Sequence, residues 1–174
     1  KEQTRGKQSI QFSHAVHILS GASIVGKKEG EGPLGKYFDV VGEEDGLFGC
    51  QCWEEAESVL QKEAVTMAIR KAKLEKWEIR TIYAGDLLAQ TIASSFGIIG
   101  FDIPVYGLYG ACATMGEALS LSSMAVAAGY GNYVVAVTSS HYGSAEKEFR
   151  FPLGYGNQRP LSASWTVTGS GACI

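Results

Sequence analysis

The stretch FDIPVYGLYGACATMGEALSLSSMAVAAG, from Phe101 to Gly129, decides how this chain is read. Ahead of Cys112, the residues Ile103, Val105 and Leu108 form a short apolar run that predicts a buried strand from Ile103 to Tyr109. Small and apolar residues from Cys112 to Ala128 predict a helix, and Gly129 ends it. Cys112 therefore stands where a strand turns into a helix. Gly107 and Gly110 offer the backbone freedom such a turn needs. The first free N–H groups of the helix point at whatever lies beside the thiol, and the positive end of the helix dipole favours its thiolate. Between Cys112 and Gly129 the only charge is Glu117, while Leu119, Leu121, Met124, Val126, Ala and Ser cover every side. A helix with no wet face is packed on both sides. One sheet covers one side only, so the other cover must come from a second domain, a second subunit or a missing half.

Working outward, Trp53 to Lys76 predicts a helix, with Glu54, Glu55 and Glu57 at its start and Arg70, Lys71, Lys73 and Lys76 at its end. Ile79 to Ala84 predicts a strand, and Gly85 and Asp86 lead into a helix from Leu87 to about Phe96, closed by Gly97. Tyr133 to Thr138 predicts the next strand. Nearer the start, Ile10 to Phe12 and Ala15 to Ile18 read as short extended runs, interrupted by Ser20, Gly21, Ala22 and Ser23. Gly26 to Gly49 reads as a long loop, His141 to Ser164 as irregular chain, and Trp165 to Thr168 as a final extended run before Gly169 to Ala172. The alternation β-α-β-α-β-α-β defines an α/β fold with a mixed, mostly parallel sheet and helices on both faces. Ligands of such sheets gather at the carboxyl ends of the strands. Gly85 with Asp86, Gly110 to Cys112, and Ser139 to His141 all fall there.

With 174 residues the chain forms one domain with a sizeable core. Its 15 basic and 18 acidic residues give a net charge of −3, which argues against a nucleic-acid groove or a polybasic membrane patch. Cys50, Cys52, Cys112 and Cys173 make no disulfide framework at this length and fit a reducing compartment. No signal peptide opens the chain, and no apolar run reaches the ~18 residues of a membrane span. The first residue is Lys1 rather than Met, so the chain reads as a trimmed or partial one.

Cys112 has three readings: a small buried core residue, a nucleophile, or the wall of a ligand pocket that needs position rather than reactivity. His141 at a strand end is either a structural histidine or a cation that favours a dianionic ligand, and it is the candidate base for Cys112. Arg150 and Arg159 follow in the irregular segment, where a planar guanidinium matches a carboxylate in bidentate fashion. Asp86 would repel a dicarboxylate, so it caps the following helix or holds calcium or a cationic neighbour.

FDIP at Phe101 to Pro104, GACAT at Gly110 to Thr114, Gly129 and GSGA at Gly169 to Ala172 resemble the thiolase and ketosynthase superfamily, where GDGA is the commoner form of the last motif. GPLG at Gly32 to Gly35, AGDLL at Ala84 to Leu88, TSSH at Thr138 to His141, EKEFRFP at Glu146 to Pro152 and TVTGSGA at Thr166 to Ala172 are similar to a sporulation branch of it. Thiolase folds stack two βαβαβαββ halves in five layers with two central helices packed together. The resemblance implies that residues 1–174 are the N-terminal half, stopping inside its last strand, and that the C-terminal half is absent. The uncharged helix would then pack on its counterpart there. Catalytic members take further His or Asn groups from that half. The sporulation branch is not known for condensing activity. It implies a binding protein without cofactor, the soluble component of the spore's dipicolinate-calcium transport system. The implied ligand is dipicolinic acid, pyridine-2,6-dicarboxylate, free or as its calcium chelate, and the candidate contacts are Cys112, His141, Asp86, Gly110, Ala111, Arg150 and Arg159. The implied partners are other stage V sporulation A proteins at the spore inner membrane and a second copy of the chain, with no nucleic acid. An acyl-transferring enzyme in which Cys112 is acylated and His141 assists is the alternative.

Overall fold

Alternation along one central strand shows how the layers are arranged. In the strand Tyr133–Ser140, Val135 and Val137 join a core with Leu60, Ala64, Val65, Ala68 and Ile69, while Ala136 packs with Ala118 and Leu108. Successive side chains of a strand point to opposite faces, so this strand has a helix on each side. The computed structural model describes residues 3–43, 46–88, 90–149, 162 and 166–174. A small hairpin pairs β1 (Thr4–Arg5) with β2 (Ser9–Ile10). The main sheet contains β3 (Gly21–Val25), β4 (Val40–Val41), β5 (Ile79–Asp86), β6 (Val105–Leu108), β7 (Tyr133–Ser140) and β8 (Gly169–Cys173) in the order β4-β3-β8-β7-β5-β6. β5 runs parallel to both β6 and β7, β3 runs parallel to β4, and β8 is antiparallel to β3 and β7, so the sheet is mixed. The helices are α1 (Lys27–Gly30), α2 (Trp53–Ala72), α3 (Ile92–Ile98), α4 (Thr114–Ala127) and α5 (Tyr142–Phe149). α2 and α3 pack together on one face, and α4 lies on the other.

α2 follows its charge pattern, with Glu54 and Glu55 in the first turn and Arg70 and Lys71 in the last. It stops at Lys73, whose left-handed backbone (φ +56°) returns its N–H to the Arg70 carbonyl.

Several boundaries differ from expectation for steric reasons. The small residues expected to interrupt the chain near Gly21 form β3, because Ala22 and Ile24 alternate into the α2 side of the core. β8 likewise falls on Gly169–Cys173 rather than on the run before it. A Cβ on Gly169 would lie 2.8 Å from the Ile24 carbonyl oxygen, so glycine permits the β3 contact. α3 starts at Ile92 instead of Leu87, and Gly97 is inside it, where a Cβ would lie 2.6 Å from the Ser58 carbonyl oxygen of α2. Within the segment expected to be irregular after His141, Tyr142–Phe149 is helical. β6 is not buried: it is the sheet edge, with Val105 41% and Tyr106 58% exposed, and only Leu108 enters the core.

α4 buries Thr114, Ala118, Ser122 and Ala125 against the sheet and exposes Gly116, Glu117, Ser120 and Met124. Among the described residues, its outer face has no cover. No described helix is long and apolar enough to cross a membrane.

Candidate functional site

The chain leaves β6 at Leu108 and enters α4 through a tight turn, Ala111–Ala113. Thr114 fastens it: its Oγ1 accepts the Gly110 N–H at 3.2 Å and donates to the Ala111 carbonyl at 2.7 Å. The conformational freedom expected of Gly107 and Gly110 is not used by either. Gly107 is part of β6, and Gly110 has φ −111°. A Cβ at Gly110 would lie 2.7 Å from Glu117 Oε2, the tip of an exposed side chain that can swing aside. The left-handed residue is Ala111, at φ +48°. That conformation costs an L-residue about 1 kcal/mol. Ala111→Gly therefore leaves stability unchanged or raises it by up to about 0.6 kcal/mol in urea unfolding, net of the entropy that glycine adds to the unfolded chain. Cys112, at the turn's centre, is exposed, which removes the core reading.

The turn forms one wall of a cleft of about 340 Å³. Ala111, Cys112 and Met115 line one side, and Thr138 and Ser140 of β7 with Gly169 and Gly171 of β8 line the other. Val25 and Phe38 add apolar surface. Ser170, in place of the commoner Asp, also reaches the cleft and donates its hydroxyl to the Thr138 carbonyl at 2.9 Å. None of the described lining residues is charged.

Of the sequence candidates, Ala111 and Cys112 come together in this cleft, with Gly110 directly beside them in the turn. His141 does not line it. It is 1% exposed, its Nδ1 accepts the Gly143 N–H at 3.1 Å, and its Nε2 therefore carries the proton donated to the Gly46 carbonyl at 2.6 Å. The ring stacks against Trp53 and Tyr142. Burial pulls its pKa below the ordinary histidine value, against the opposing pull of the Gly46 bond and of Glu54 and Glu29. As placed, it is a neutral pin between the Gly46 loop and the end of β7, with neither nitrogen free to serve Cys112.

Asp86 is fully buried and also absent from the cleft wall. Its Oδ1 accepts the Thr91 N–H at 3.1 Å, and its Oδ2 accepts the Ser94 N–H at 3.0 Å and the Ser94 hydroxyl at 2.8 Å. This is the capping role, satisfying donors at the start of α3. Arg150 and Arg159 lie outside the described residues. Among the described residues, no group of three His, Cys, Asp or Glu side chains could hold a metal ion.

One buried cluster escapes sequence reasoning. Glu57, which the sequence offers only as one of several acids at the start of α2, is 2% exposed and accepts the Ser139 hydroxyl at 2.8 Å. Gln61, one turn on, has its Nε2 within 3.0 Å of the Gly85 carbonyl, 2.9 Å of Ser94 Oγ and 2.7 Å of Ser139 Oγ. The cluster fastens α2 to the ends of β5 and β7. Burial pushes the Glu57 carboxyl up from 4.5 to about 7, partly offset by the Ser139 bond and reinforced by Asp86 and Glu54. The unfolded chain loses this proton near 4.5, and the folded chain keeps it until about 7. Stability therefore falls as pH rises through that window, by about 3 kcal/mol for this group. Between pH 5 and pH 8 the wild-type protein loses about 2–3 kcal/mol of urea-unfolding free energy that Glu57→Gln does not lose.

The chain matches the family model for Stage V sporulation protein AD (SpoVAD) over residues 6–174. It is 39% identical over 171 residues to the stage V sporulation protein AD of Bacillus subtilis (strain 168), covering 97% of this chain and 50% of that protein. It thus spans about half the length of that relative. Among solved structures, the 3-oxoacyl-[acyl-carrier-protein] synthase III of Aquifex aeolicus VF5 superposes with a TM-score of 0.59 at 15% identity, over 90% of this chain and 52% of that one. The priming β-ketosynthase of the R1128 polyketide pathway gives 0.57 at 20% identity, over 90% and 48%. The synthase III of Thermus thermophilus gives 0.55 at 19%, over 91% and 50%. At these identities the structures speak for the fold alone. The chain belongs to the stage V sporulation protein AD family, sporulation proteins with the fold of the thiolase-like ketosynthases.

Proposed function

We propose that this chain is the N-terminal half of a thiolase-like protein that binds dipicolinic acid, free or as its calcium chelate, in the Cys112 cleft without condensing chemistry. The observation that carries the proposal is a cleft at the strand ends whose described wall holds an exposed thiol but neither acid nor base. Its volume of about 340 Å³ is at the lower end of small-molecule sites. Met115, Val25 and Phe38 suit the faces of one aromatic ring, and the backbone of the Ala111–Ala113 turn with the Thr138 hydroxyl suits carboxylates. The binding role belongs to dipicolinate-calcium transport in the forespore and to germination, at the inner membrane with other stage V sporulation A proteins or with a second copy. The uncovered face of α4 supports a second half of the same fold above it.

Alkylation locates the ligand. In the complete protein, saturating sodium dipicolinate slows iodoacetamide labelling of Cys112 at least about tenfold. Equal labelling rates contradict the proposal.

The exposed Cys112 at the start of a 14-residue helix favours a second reading, acyl transfer. An acyl adduct after incubation with acyl-CoA, seen by intact mass and lost in Cys112→Ser, supports that reading. No adduct favours binding alone.

A further inference from the structure

We infer that an anion entering the Cys112 cleft draws a proton onto Glu57, so that pH sets the cleft's affinity through a carboxyl on the opposite face of the sheet. The inference rests on the cleft being the anion site proposed above.

The geometry is that of β7. Ser139 lines the cleft together with its neighbours Thr138 and Ser140, and it donates its hydroxyl to Glu57 of α2. The described cleft wall has no charged side chain, so a bound dicarboxylate meets no nearby counter-charge there, and any acid close behind the strand repels it. Glu57 is that acid, and at pH 7 it is poised about half protonated, because burial raises its carboxyl to about 7. Among the described residues, the other charged or titratable groups near it are few. Asp86 at the end of β5 has both oxygens committed to Thr91 and Ser94. Glu54 lies on α2 itself, and His141 beyond β7 is pinned as a neutral ring. α3 and β3 bring no titratable side chain, β8 brings Cys173 at its far end, and α5 brings Tyr142 against His141, with Glu146, Lys147 and Glu148 further along its sequence. The step is a plain protonation: one proton passes from the buffer to the Glu57 carboxylate and no other bond changes. By linkage, the ligand raises proton affinity by the same factor by which the proton raises ligand affinity.

Calorimetric titration of the complete protein with sodium dipicolinate at pH 7, in phosphate and in Tris, reads the proton directly, because the two buffers differ in ionisation heat. The expected result is uptake of about 0.3–0.5 proton per ligand and an affinity that falls about fivefold from pH 6 to pH 8. In Glu57→Gln the uptake vanishes and affinity is level across that range. Equal heats in the two wild-type buffers overturn the linkage, and so does uptake that persists in Glu57→Gln. If the variant does not fold, the wild-type uptake alone decides: a profile centred near pH 7 supports the linkage, and zero uptake or a profile centred elsewhere overturns it. No binding at either pH overturns the anion site itself, and the linkage with it, whereas binding without uptake overturns the linkage alone.

Discussion

Gly171→Phe in the complete protein is expected to reduce dipicolinate affinity at least about 100-fold while leaving the unfolding midpoint within a few degrees of wild type. Gly171 sits in β8 on the cleft wall, and a Cβ placed there meets no atom within 4 Å. A side chain at this position therefore enters open cleft rather than core. The benzyl group occupies the space that the ligand's ring needs, and it leaves Cys112 and the α4 turn untouched. Equilibrium dialysis with dipicolinate, paired with a thermal melt, checks both halves of the expectation. Unchanged affinity in a folded variant would place the ligand elsewhere.

Gly85→Val has the largest expected effect on stability. A Cβ on Gly85 would lie 2.3 Å from Thr114 Cγ2 and 2.6 Å from the Leu108 carbonyl oxygen. Neither neighbour can give way easily: Leu108 is backbone of the adjacent strand, and Thr114 fastens the Gly110–Ala111 turn. The substitution forces β5 away from α4 or β6, at a cost of at least about 3 kcal/mol. The expected outcome is loss of soluble protein at 37 °C, or an unfolding midpoint lowered by several degrees in any that survives. The same contact explains why a glycine stands before Asp86. It lets the start of α4 seat closely on the sheet, and that seating puts Cys112 at the cleft.

Much of this was legible in the sequence, because the signals are local. The periodic apolar residues of α2, its charge gradient, and the strand-turn-helix around Cys112 all lie within single elements. Asp86 as a cap was legible for the same reason. The strands β3 and β8 were not, since GASIV and GSGAC owe their extended form to pairing with each other, across almost 150 residues of chain. The exposure of β6 depends on its place at the end of the strand order, which no local pattern encodes. His141 illustrates the limit at the site. Sequence put it at the right strand end, but only the fold shows its ring held by Gly46 and Gly143. Glu57 was hidden among three acids of one helix start, and only its register against Ser139 distinguishes it. The nearly uncharged α4 was the most informative local signal: the structure covers one of its faces and leaves Glu117 and Met124 on the other.

We propose that the Cys112 cleft recognises dipicolinate as a planar dicarboxylate with a ring nitrogen. Calorimetric titration of the complete protein with dipicolinic acid and with isophthalate, which lacks that nitrogen, separates recognition of the ring nitrogen from recognition of the two carboxylates alone. The expected result is one saturable site for dipicolinate and at least about tenfold weaker binding of isophthalate, a difference of about 1.4 kcal/mol. Equal affinity for the two, or no binding of either, would contradict it.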